Sequence, residues 1–107
     1  MGEQKEQPGY DLVQTFEHLR TEEPEFYERL RSERLTVCVF PGDRYLGSIS
    51  DYAIWNGDDS IMHGRTKLEV EDLERDIESA IRTLRDRGFS LTFLPWRERR
   101  RHSARRV

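Results

Sequence analysis

The sequence predicts an α+β fold: N-terminal helical segments, a mainly antiparallel sheet of three to four strands, and one long amphipathic helix packed on it. Three observations carry this. Leu68, Val70, Leu73, Ile77, Ala80, Ile81 and Leu84 recur at helical spacing, placing a helix at about 67–87. Leu35 to Phe40 is an unbroken β-branched and apolar run of strand length. Phe89, Leu91 and Phe93 alternate with Ser90 and Thr92, which marks a final strand over 89–94 with one buried face.

The elements follow in chain order. Asp11 can accept a backbone N–H at the start of a helix whose stripe is Leu12, Val13, Phe16 and Leu19. Pro24 has the fixed φ of a first helical turn, so a second helix, or a kinked continuation, runs to near Ser32 with Phe26, Tyr27 and Leu30 inward. After the strand Leu35–Phe40, Pro41-Gly42-Asp43 is a turn signal, and Tyr45 to Ile49 is the expected returning strand. Tyr52 to Trp55 is a further apolar segment, strand or short helix, and Asn56-Gly57 favours a tight hairpin turn before Ile61-Met62-His63. Thr66 and Glu69 have capping-box spacing at the head of the long helix. Gly88 is placed to end that helix, with Arg85 and Arg87 in its last turn, and Pro95 ends the final strand.

A chain of 107 residues allows one domain. It is expected over 10–94, between a disordered N-terminus at 1–9 and a basic, disordered tail at 95–107. Charged residues make up 36% of the chain and hydrophobic ones 35%, so the core is small and added burial against a partner would help it. No apolar run reaches membrane-span length and residues 1–8 hold no apolar signal core, so a cytoplasmic location and no membrane partner are expected. One cysteine, Cys38, excludes an intramolecular disulfide and a multi-cysteine zinc site.

The formal charge of −3 is unevenly distributed. Arg97, Arg99, Arg100, Arg101, Arg105 and Arg106 face only Glu98 in the tail, a net of +5, which leaves 12 basic and 20 acidic residues, a net of −8, elsewhere. An acidic body is not the usual footprint of a domain that grips nucleic acid with its folded face.

Catalytic motifs are scarce. Cys38 lies mid-strand among valines, as a small core residue does. Asp43 and Asp51 flank the expected returning strand in turn and cap positions. His63 follows Asp58 and Asp59 closely, and an acid/base site would need Asp43, Asp58, Asp59 and His63 to converge. No paired-histidine spacing, phosphate-binding loop or nucleophile elbow occurs, so no metal or cofactor is expected.

Three functions are therefore carried forward. The first is a non-catalytic protein-binding or regulatory module, acting on another protein or as a homodimer, through Tyr45, Tyr52 and Trp55 on the middle strands and Phe26 and Tyr27 on the N-terminal helices. The second is an accessory nucleic-acid binder, with Trp96 stacking on a base while Arg97, Arg99, Arg100, Arg101, Arg105 and Arg106 neutralise phosphates. The third is a small enzyme built on the aspartates and His63.

Overall fold

In a computed structural model, which describes residues 11–96, the order is α1 (Leu12–Glu22), α2 (Pro24–Ser32), β1 (Arg34–Pro41), β2 (Ser50–Asn56), β3 (Asp59–Thr66), α3 (Val70–Asp86) and β4 (Ser90–Leu94). The expectations for residues 1–9 and for the tail arginines lie outside the described residues. Among the described residues, no helix is long and apolar enough to cross a membrane.

The strands form one sheet in the order β3-β2-β1-β4. β1 and β2 pair antiparallel, as do β2 and β3, while β4 lies parallel to β1. The sheet is therefore mixed, with two antiparallel pairs and one parallel pair. The parallel pair follows from the α3 crossover, since a helix returns the chain to the end of the sheet where β1 begins.

The helices close on one face of this sheet. Leu12 and Phe16 of α1, Tyr27 and Leu30 of α2, and Leu73, Ile77, Ala80, Ile81 and Leu84 of α3 share one buried cluster with Leu35, Val37, Val39, Tyr52, Ile54 and Leu91. Phe89 anchors it by edge-to-face contacts with Phe16 and Tyr27, at centroid distances of 5.0 and 5.2 Å.

Several local readings agree with the structure. Asp11 Oδ1 accepts the Gln14 N–H at 3.2 Å, and Pro24 opens α2. Gly88 has φ +98°, its N–H bonds the Arg85 carbonyl, and the Phe89 N–H bonds the Leu84 carbonyl. This double bond pattern satisfies two orphan carbonyls of α3.

Two readings are corrected. Tyr45–Ile49 is not a strand: the returning strand is Ser50–Asn56, and the segment between is a loop holding a 3-10 turn at Arg44–Leu46. Local bonds outcompete pairing there, because Asp43 Oδ1 accepts the Tyr45 N–H at 2.9 Å and Ser48 Oγ accepts the Asp43 N–H at 3.1 Å. Thr66 is not the cap of α3 either. Glu69 holds the N-cap position without a side-chain bond, while the Thr66 hydroxyl accepts the Leu68 N–H at 3.2 Å and donates to the Ser50 carbonyl at 3.0 Å. The Ser50 hydroxyl in turn donates to the Leu68 carbonyl at 2.6 Å, so the buried pair Ser50 and Thr66 ties β2 to the entry of α3.

Candidate functional site

Successive side chains of a strand point to opposite faces of the sheet. Since Leu35, Val37 and Val39 face the helices, Arg34, Thr36, Cys38 and Phe40 face the other way. The registers then place Asp51, Ala53 and Trp55 of β2, Ser60, His63 and Arg65 of β3, and Ser90, Thr92 and Leu94 of β4 on that same face, which is helix-free among the described residues.

This face is organised in rows across the strands. One row runs His63, Ala53, Cys38, Leu94 through all four strands. The row beside it is Ser60, Trp55, Thr36, Thr92, and on the other side lie Arg65, Asp51 and Phe40. Ala53 and Cys38, at 3% and 8% exposure, form a low centre between half-buried Trp55 and half-buried Phe40. Leu94 is an exposed large apolar residue at its edge. Cys38 is thus buried as expected, but on the helix-free face rather than in the helix-covered core.

The Phe40 and His63 rings, from strands on either side of β2, lie nearly parallel, with centroids 5.9 Å apart. Small Ala53 on the intervening strand leaves room for that approach. His63 Nε2 lies 3.2 Å from Asp51 Oδ2, and the Asp51 side chain is 9% exposed against 45% for His63. Asp51 Oδ1 is buried without a hydrogen-bond partner among the described residues. A buried carboxylate of this kind depends on its one histidine contact.

The aspartate and histidine group considered for acid/base chemistry does not come together. Asp43 follows β1, beyond the Pro41–Ser50 pair, whereas Asp59 closes the opposite end in the Asn56–Asp59 pair and Asp58 lies in the turn beyond it. Six residue steps along β2, from Ser50 to Asn56, separate those ends, roughly 20 Å at strand rise. His63 pairs instead with Asp51. Among the described residues no group of three or more His, Cys, Asp or Glu side chains could hold a metal ion.

The expected binding residues scatter. Tyr52 is buried on the helix-covered face and Tyr27 is buried against Phe89, so both serve the core. Tyr45 is fully exposed in the loop before β2, and Trp55 lies on the helix-free face. Half-buried Phe26 lines a shallow concavity with Glu23, Pro24 and Glu25. A second surface concavity, about 540 Å³, is lined by Glu17, Arg20, Tyr27, Glu28, Arg31 and Arg87. Its arginines are engaged by its own acids, Arg20 and Arg87 by Glu17 and Arg31 by Glu28, which makes it an exposed ion-pair mesh. Trp96 is half-buried and its backbone N–H donates to Glu74 Oε2 at 2.7 Å, so the chain leaving β4 is held to α3. Arg97, Arg99, Arg100, Arg101, Arg105 and Arg106 lie outside the described residues.

Sequence reasoning missed Phe40, His63 and Leu94 as surface partners of Trp55. The signal was present in the Asn56-Gly57 turn, which sets Asn56 opposite Asp59 and Trp55 opposite Ser60. A register shift after that point pairs Ile54 with Met62 rather than with Ile61. Without that bulge His63 would pair with Tyr52 and face the core.

No family model matches the chain, and neither does any curated protein or solved structure.

Proposed function

We propose that this chain is a non-catalytic binding module whose working surface is the helix-free face of its sheet. One observation carries the reading: half-buried Phe40 and Trp55 and exposed Leu94 surround the low centre at Cys38 and Ala53, on the face opposite the helices. An apolar patch flanked by polar residues, on a sheet face that no helix among the described residues covers, is the usual mark of a contact surface. A protein partner, either a second copy or another chain, and a nucleic acid are the two classes of occupant such a face supports.

The test uses the full chain with Trp55→Ser and Leu94→Ser, and Tyr45→Ser as a control away from the face. Sedimentation velocity over a range of concentrations and chemical cross-linking to co-purified partners read association. Loss in the two face variants, with the Tyr45 variant unaffected and helical circular dichroism retained in all three, supports the reading. Association indifferent to both face substitutions rejects it.

A further inference from the structure

We infer that Asn56 is a site of covalent self-modification, in which its side chain and the next backbone amide cyclise and water reopens the ring. Asn56 is the chain's single asparagine, and glycine follows it. In the first step a bond forms from the Gly57 nitrogen to Asn56 Cγ and the Cγ–Nδ2 bond breaks. The side-chain nitrogen departs as ammonia, taking the Gly57 amide proton. Water then opens one of the two carbonyl–nitrogen bonds of the resulting succinimide. One opening leaves an aspartyl residue, and the other an isoaspartyl residue with a longer main chain. Nothing is oxidised or reduced.

The hairpin leaves the attacking group open. Asn56 pairs with Asp59, so Gly57 and Asp58 are the two central residues of the turn. Gly57 has φ +62°, and among the described residues only glycines have positive φ, which is the pattern of a II′ turn. Both central residues are exposed, and a Cβ built on Gly57 would meet nothing within 4 Å. Among the described residues no group accepts the Gly57 N–H. The nucleophile therefore has no bond to break and no side chain of its own to shield it.

Glu33 restrains the other reacting group. Half-buried Asn56 donates from Nδ2 to Glu33 Oε1 at 2.8 Å, while Glu33 Oε2 accepts from Arg29 Nε at 3.2 Å. Glu33 follows α2 directly, so the bond ties the β2–β3 hairpin to the α2–β1 junction. Cyclisation needs the Gly57 nitrogen about 3–3.5 Å from Asn56 Cγ, and a side chain pinned at its nitrogen is not free to rotate into that position. The fold thus slows the reaction through one hydrogen bond.

The product inverts that contact. A donor becomes a carboxylate facing the Glu33 carboxylate, whose side chain is only 27% exposed. Like charges so placed repel. The isoaspartyl form also lengthens the chain at the end of β2, close to the register shift between Ile54 and Trp55. Modification releases the hairpin from the α2–β1 junction, and loss of ammonia makes the release one-way.

The test incubates the full chain at mildly alkaline pH and follows the tryptic peptide Tyr45–Arg65 by mass spectrometry and isoaspartyl-specific enzymatic methylation. Conversion of the amide to an acid is expected in that peptide, part of it isoaspartyl. Glu33→Ala is expected to convert about 2- to 10-fold faster, the equivalent of one net hydrogen bond. Arg85→Ala, which removes a bond between α3 and β4, is expected to keep the wild-type rate and so separates Glu33 from general loosening. An unconverted folded chain, under conditions where the urea-unfolded chain converts, overturns the site. Equal rates in wild type and Glu33→Ala, or an equal acceleration in Arg85→Ala, overturn the restraint by Glu33. Asn56→Asp is expected to lower the urea midpoint, and Glu33→Gln in that background to restore most of it. A midpoint unmoved by Asn56→Asp overturns the release of the hairpin.

Discussion

Tyr52 occupies the space that a side chain at Gly64 would need. The two residues are directly paired between β2 and β3, and a Cβ on Gly64 would collide with Cε1 of the Tyr52 ring. Gly64 therefore exists for the ring, which reaches over the edge strand while remaining 3% exposed. Gly64→Ala is expected to cost about 1–3 kcal/mol by overpacking. In a Tyr52→Leu background the same change should cost less, and urea denaturation of the four proteins in the cycle measures the coupling.

Gly88 makes a contrasting case. Its φ of +98° is the constraint, and a Cβ there would meet only Arg31 atoms at 3.8 Å or beyond. Gly88→Ala should cost about 1–2 kcal/mol through backbone conformation alone. Gly88→Asn should recover part of that loss, since asparagine tolerates the left-handed region, whereas asparagine at Gly64 should be worse than alanine. Thermal unfolding of both pairs of variants checks the reversal.

The contact between His63 and Asp51 leads to an asymmetric prediction. Removing the imidazole strands a carboxylate that is buried and already has one oxygen unpartnered. His63→Ala should cost about 1–3 kcal/mol, the penalty of an unsatisfied buried charge-bearing group. Asp51→Ala removes that group and should cost less. Chemical denaturation at neutral pH gives both values, and a larger loss in the Asp51 variant would contradict the account.

Arg85 protects an exposed sheet edge. β4 is an edge strand without a charged residue, and Arg85 Nε donates to the Leu91 carbonyl at 2.9 Å. Uncharged edges invite strand addition from other molecules, and a capped carbonyl is one fewer partner on offer. Arg85→Ala is expected to lower stability by about 1 kcal/mol and to raise self-association on mild heating. Light scattering during a temperature ramp reads the second effect. Arg82→Ala, which removes an exposed arginine three residues earlier on the same helix, is the control.

Much of the architecture could be read from local pattern. Helical spacing placed the inward residues of α3, and every one from Leu73 to Leu84 lies in the buried cluster. Asp11, Pro24 and Gly88 marked helix boundaries because capping depends only on residues within a turn of the terminus. The reading failed over 45–49, where the Pro41-Gly42-Asp43 turn signal pointed to a returning strand. There the short side chains of Asp43 and Ser48 claim backbone N–H groups, an effect that hydrophobic patterning does not register.

What lay beyond local pattern was which groups meet across the sheet. Propensity, periodicity and capping act between neighbours in the chain, so the elements and most of their inward faces were already written in the residues. The parallel seat of β4 beside β1, the gathering of all three described helices on one face, and the meeting of His63 with Asp51 and Phe40 arise from long-range closure. A single bulged residue between Ser60 and Met62 decides the last of these, because strand side chains alternate and a shift of one residue exchanges the two faces. Such a shift costs little locally and is settled only when the helices have claimed one side of the sheet.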